Sequence, residues 1–228
     1  MRVAVKICGL VRPEDAAAAA AAGARYVGAI FAGGPRLVTA AQARAAWDAA
    51  PGCTRVAVMG HEPVEDLVAR AMAAGADIVQ LHGDPSARTV EAVRDAWPGG
   101  VWAALRVPAD AFDGERAAAL FAVADGVVLD AFVPGALGGT GVALDWRALR
   151  APLDAVRALD ASRAQLVLAG GLRPETVGAA IRLLSPDVVD VSSGVERAPG
   201  QKDHDRVRAF VAAAHGDEEQ LSLLGEQA

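Results

Sequence analysis

Short runs of valine, isoleucine and leucine alternate with alanine-rich stretches along nearly the whole chain, and that alternation leaves few architectures open. Each apolar run is of strand length, and each stretch after it is long enough to cross back over a sheet as a helix. The pairs therefore read as βα units and the series as a parallel sheet. Eight strands are predicted, at residues 3–7, 26–31, 55–59, 78–82, 101–107, 126–130, 165–169 and 188–192. Helices are predicted between them, among others at 13–22, 40–50, 64–74 and 174–184. Several open on proline, whose missing N–H is harmless in a first helical turn.

A weak internal repeat points to closure of the sheet. The junctions Ala22-Gly23-Ala24-Arg25-Tyr26-Val27, Ala74-Gly75-Ala76-Asp77-Ile78-Val79, Ala124-Asp125-Gly126-Val127-Val128 and Ser185-Pro186-Asp187-Val188-Val189 open the even-numbered strands. The last interval is the longest, and its excess falls at 151–163, where apolar spacing suggests an elongated helical connection. The expected fold class is α/β, a single-domain (βα)8 TIM barrel over residues 1–215, with 216–228 a flexible C-terminal tail.

Composition narrows the function classes. With 53% hydrophobic and only 4% aromatic residues, alanine, valine and leucine must fill a large core. A net charge of −6 without a basic block argues against nucleic acid as a partner, so an anionic small molecule needs local positive sites. The first residues run straight into a strand pattern without a secretory h-region, and no apolar run approaches the ~20 residues that span a bilayer. The expectation is a cytoplasmic protein with no membrane partner, acting as a monomer or homodimer. Cys8 and Cys53 have neither CxxC spacing nor a histidine cluster nearby, so neither a metal site nor a disulfide is expected.

In a barrel of this kind the site is built at the C-terminal ends of the strands. Alternation along the first strand sets Ala4, Lys6 and Cys8 on one face and Val3, Val5 and Ile7 on the other. The apolar set meets the helices, which aims Lys6 and Cys8 into the barrel mouth. Cys8 then has two readings, a small buried hydrophobe or a base whose thiolate the neighbouring cation favours. The sixth strand closes on Asp130, which is either a structural carboxylate or an acid whose pKa desolvation raises. Gly170-Gly171-Leu172 follows the seventh strand and Ser192-Ser193-Gly194 the eighth, the two loops that commonly hold a phosphate. Arg36, at the end of Gly33-Gly34-Pro35, offers a guanidinium to a carboxylate. Gly138-Gly139-Thr140-Gly141 lacks the strand-to-helix setting of a dinucleotide fingerprint and reads as a mobile cover.

Taken in order, Lys6-Ile7-Cys8-Gly9, Val79-Gln80-Leu81-His82-Gly83, Leu129-Asp130, Gly138-Gly139-Thr140-Gly141, Asp145-Trp146, Ala169-Gly170-Gly171-Leu172, Asp190-Val191-Ser192-Ser193-Gly194-Val195-Glu196 and Gly200-Gln201-Lys202-Asp203 resemble the phosphoribosylanthranilate isomerase family of tryptophan biosynthesis. The resemblance implies a cofactor-free Amadori rearrangement of a phosphorylated substrate. In it Asp130 is the general acid and Cys8 the general base. The substrate-binding residues it implies are Lys6, Arg36, Gly171, Leu172, Asp190, Ser192, Ser193 and Gly194, with Arg36 on the anthranilate carboxylate. Two departures stand out: Gly34 precedes Pro35-Arg36 where the family has serine, and Met59-Gly60-His61 replaces a usual Phe and Asn. Two rival readings are a barrel isomerase of histidine biosynthesis, which uses aspartate in place of Cys8, and a barrel that binds phosphometabolites without turnover.

Overall fold

The computed structural model describes residues 2–108, 111–131, 144–158 and 164–216. Eight parallel strands close into a barrel in chain order: β1 (Ala4–Ile7), β2 (Tyr26–Ile30), β3 (Thr54–Met59), β4 (Ile78–Leu81), β5 (Gly100–Val107), β6 (Gly126–Ala131), β7 (Gln165–Leu168) and β8 (Val188–Val191). Closure is made by β8 pairing with β1, Lys6 opposite Asp190. The helices that return the chain are α1 (Pro13–Ala21), α2 (Ala40–Asp48), α3 (Val64–Ala74), α4 (Ala87–Ala96), α5 (Gly114–Val123), α6 (Trp146–Arg157), α7 (Pro174–Leu184) and α8 (His204–His215). The (βα)8 expectation is met, with every strand within a residue of its expected ends. Cys8, His82 and Ala169 stand just past their strands, yet each N–H still bonds a neighbouring strand, to Val191, Met59 and Leu129 respectively.

The recurring junction has a mechanical cause. Asp77 Oδ2 accepts from the Arg55 N–H, Asp125 Oδ2 from Val101 and Asp187 Oδ2 from Leu166, each at 2.8 Å. The carbonyls of the same three aspartates accept from Gly100, Gln165 and Ala4 in the following strands. One residue thus ties three strands at the base of the barrel, satisfying backbone groups that strand ends would leave open. Arg25, the first member of the repeat, keeps only the backbone half, from its N–H to Val5 and from Thr54 to its carbonyl.

Two departures from expectation are local. The helical segment expected at 151–163 begins earlier, at Trp146, because Asp145 caps the N–H groups of Arg147 and Ala148. It ends at Arg157, and residues 159–163 lie outside the described residues. After β8 a single 3-10 turn (Ser193–Val195) leads into an unanticipated antiparallel hairpin, β9 (Glu196–Ala198) and β10 (Gln201–Lys202). Pro199-Gly200 turns it, with Gly200 at φ 76°, the backbone that a type II turn requires of its third residue.

The core has two parts. Val5, Ile7, Val27, Val79 and Leu129 face the helices and pack on their alanine-rich inner sides. Tyr26, Val56, Trp102, Val128, Val167 and Val188 fill the barrel interior, with Tyr26 and Trp102 edge to face at 5.0 Å between ring centroids. Alternation on each strand makes this division, and it places polar side chains in the mouth above the apolar plug.

Candidate active site

The first strand places its residues as alternation requires. Val5 and Ile7 lie in the helix-facing core and Ala4 packs on the barrel interior. Lys6 and Cys8 share the inward face over Gly28 of β2. A Cβ built there would lie 2.9 Å from Cys8 Sγ and 3.1 Å from Lys6 Cε, so glycine is what admits both side chains.

Lys6 is wholly buried, and its ammonium donates to Asp190 Oδ2 at 2.7 Å. Burial is the largest influence and depresses its pKa, but the charges and hydrogen bonds of Asp190 and Cys8 together outweigh it, holding Lys6 above the ordinary lysine value. The cation expected to poise Cys8 is therefore shared with a carboxylate. Cys8 is itself buried, and desolvation drives its thiol up; Lys6 pulls it down and Asp190 pushes it up again. The balance lies above an ordinary cysteine, so burial works against the thiolate that the neighbouring cation favours.

Asp130 sits near the end of β6, with a buried side chain. Its Oδ1 accepts from the Ala131 N–H at 2.9 Å, and His82 Nε2 stands 3.8 Å from Oδ2. Burial raises its pKa; His82 lowers it, Asp190 raises it, and Arg106, opposite it on β5, lowers it; the net direction is up. Asp190 thus acts on both Cys8 and Asp130. Asp190 Oδ1 and Gln80 Oε1 are buried without a hydrogen-bond partner among the described residues, two acceptors held in the mouth.

The two small-residue loops converge beside these groups. Gly170 passes so close to Asp130 that a Cβ would lie 3.2 Å from Oδ1. Gly171 has φ 66°, and Leu172 is buried in the helix-facing core, so it can offer the mouth only its backbone. A Cβ on Gly194 would collide with the Leu172 carbonyl, which shows how tightly the loops after β7 and β8 abut. Ser192, Ser193 and Gly194 are half-buried.

Arg36, expected to offer its guanidinium to a carboxylate, already meets one within the chain. Its Nε and Nη2 donate to Glu196 Oε1 and Oε2 at 2.9 and 2.7 Å, with side chains 11% and 5% exposed. This pair uses two of five guanidinium N–H groups and leaves the others for a further acceptor. The hydrogen bonds from Arg36 and the charge of Lys202 hold Glu196 below the usual carboxylate range against its burial. Neither Glu196 nor Lys202 was assigned a role from sequence, although the Pro199-Gly200 turn signal could have shown that the chain doubles back there. The glycine-rich segment 138–141 lies outside the described residues.

This arrangement has counterparts. The family model for N-(5'-phosphoribosyl)anthranilate (PRA) isomerase matches residues 5–213. The chain belongs to that family. The PRA isomerase of Pseudomonas aeruginosa (strain LESB58) is 42% identical over 214 residues, covering 92% of this chain and 94% of the relative. A solved structure of monomers of the dimeric Thermotoga maritima PRA isomerase superposes with a TM-score of 0.79 at 34% identity, covering 94% and 99% of the two chains. A PRA isomerase in complex with reduced 1-(o-carboxyphenylamino)-1-deoxyribulose 5-phosphate superposes with a TM-score of 0.78 at 33% identity, covering 94% and 99%. No helix among the described residues of this PRA isomerase family member is long and apolar enough to cross a membrane.

Proposed function

We propose that this protein catalyses the Amadori rearrangement of N-(5-phosphoribosyl)anthranilate to 1-(2-carboxyphenylamino)-1-deoxyribulose 5-phosphate in tryptophan biosynthesis. The observation that carries the reading is the convergence of a buried carboxylic acid, a buried thiol and two small-residue loops on one barrel mouth. The relatives add the substrate class, since one of them holds a reduced form of the product.

Asp130, its pKa raised by burial, donates its proton to the ribose ring oxygen. The C1–O bond opens and a Schiff base forms with the anthranilate nitrogen. Cys8 then takes the C2 proton, giving an enolamine that tautomerises to the ketone. Both groups act in the form that is minor between their two pKa values, a neutral acid and a thiolate. Lys6, Arg36 and Lys202 all interact electrostatically with Cys8 and favour that thiolate, while burial opposes it. The phosphate rests on the backbone of Gly171 and Leu172 and on Ser192, Ser193 and Gly194. Asp190, bridged to Lys6, keeps Oδ1 for a sugar hydroxyl. Arg36 presents the N–H groups outside its pair with Glu196 to the anthranilate carboxylate.

Loss of phosphoribosylanthranilate fluorescence on adding the purified protein tests the activity, and its persistence would refute the reading. The assembly is proposed to be a monomer or a homodimer, which sedimentation equilibrium distinguishes.

A further inference from the structure

Beyond the groups that meet the substrate lies a chain of buried charges. Lys202 is fully buried, and its ammonium donates to Glu196 Oε1 at 2.8 Å, the Ser192 carbonyl at 3.1 Å and Ser192 Oγ at 3.4 Å. All three ammonium hydrogens are therefore used. Glu196 passes the connection to Arg36 through two further bonds. The result is a continuous path from Arg36 through Glu196 and Lys202 to Ser192. Gly9 lies where the two ends meet: a Cβ there would come within 2.6 Å of Arg36 Cδ and 2.8 Å of Ser192 Oγ, at a φ of 70°.

The path is anchored to the body of the barrel. The Lys202 N–H donates to Asp15 Oδ2 at 3.1 Å. Asp15 is wholly buried at the start of α1, gripped by Arg12 at 2.9 and 2.7 Å and by His204 Nε2 at 2.8 Å. The hairpin β9–β10 thus fixes Lys202 from both sides, backbone to α1 and side chain to the mouth. Buried ion pairs are poor sources of stability, because desolvation offsets their attraction. Their better-attested use is to fix one arrangement of the groups they join.

We propose that Lys202 and Glu196 are positioning residues that tie the carboxylate anchor Arg36 to the phosphate loop at Ser192, so that one ion network sets the distance between the two ends of the substrate. The proposal rests on the isomerase reading above and adds two residues that touch neither end. Shifts of about 1 Å in such anchors change rates and affinities by one to two orders of magnitude.

The test is a double-mutant cycle on Lys202→Met and Arg36→Met, with two probes that bind opposite ends: anthranilate, followed by its fluorescence, and inorganic phosphate, followed as a competitive inhibitor or by direct titration. Lys202→Met is expected to weaken both probes about tenfold and to raise KM in step with them, while any fall in kcat reports the loss of its charge acting on Cys8 and not the network. In the double variant, KM should rise by at least about fivefold less than the product of the single effects, the mark of residues acting through one network. Multiplying single effects, or probe affinities within about twofold of wild type in Lys202→Met, would overturn the proposal. Should Lys202→Met fail to fold, Glu196→Gln enters the same cycle with the same expected non-additivity. Absence of turnover in the wild type would instead count against the isomerase reading, while the probe titrations would still report on the network.

Discussion

Gly28→Ala concentrates much of the reasoning in one methyl group. The added Cβ would stand 2.9 Å from Cys8 Sγ, 3.1 Å from Lys6 Cε and 3.2 Å from Cys8 Cα. Non-bonded heavy atoms settle at about 3.5–4.0 Å, so the thiol must retreat by roughly 0.6 Å or more, or the β1 backbone must move. Overpacking of this kind costs about 1–3 kcal/mol. In a chain of this size that is a loss of roughly 2–12 °C in Tm. Displacing the proposed base by that distance should lower kcat by about 10–100-fold. Gly126→Ala is the matched control: its Cβ would lie 2.7 Å from the Trp102 ring, but at the first residue of β6, the opposite end of the strand from Asp130. It should lose comparable stability and keep kcat within about twofold of wild type. Steady-state kinetics with calorimetric melting on both variants decides the matter. A folded Gly28→Ala with wild-type kcat, or equal loss of kcat in both, would refute the reasoning that the thiol position limits the reaction.

Cys8→Ala and Asp130→Asn should each lower kcat by about 10²–10⁴-fold, and wild-type rates in either would sink the assigned acid and base. Because Asp130 has a raised pKa in the folded chain, its contribution to stability is fully present below the unfolded value and lost as pH rises through the folded one. Asp130→Asn should therefore melt a few degrees above wild type at pH 7, with the difference closing below about pH 3.9; an equal or lower Tm at pH 7 contradicts the desolvation argument. The profile of kcat/KM against pH should be a bell whose acid limb lies above an ordinary aspartate, about 3.9, and whose alkaline limb lies above an ordinary cysteine, about 8.5. An alkaline limb below that, lost in alkylated enzyme, would mean that the cations around Cys8 outweigh its burial. Asp125→Ala strips the Val101 N–H of its side-chain acceptor and should destabilise by about 1–2 kcal/mol, with Asp125→Asn milder; equal melting of the two would contradict the stapling role.

The strands were legible because period-two alternation and short apolar runs are local signals, and Val5 and Ile7 went to the helices as that pattern demanded. The same signal placed Lys6, Cys8 and Asp130 in the mouth. The repeated aspartates were visible as a pattern, though not as staples, since their acceptors serve N–H groups more than twenty residues away. The long-range partners of charged side chains were not legible. Lys6 meets Asp190 across 184 residues of chain and Arg36 meets Glu196 across 160, separations at which no spacing rule operates. From sequence Arg36 could be read only as a guanidinium offered to some carboxylate, and Lys202 carried no reading beyond its motif.

Cys8 marks the boundary between the two kinds of knowledge. Its place at the end of the first strand, facing inward beside Lys6, follows from the order of residues 4 to 8 and from the pleat of a strand. Its protonation follows from the folded surroundings: β8 brings Asp190 to Lys6, and the closed barrel removes water from the thiol. Local order decides which way a side chain points, whereas dielectric and charge at that point are sums over everything that closure brings near.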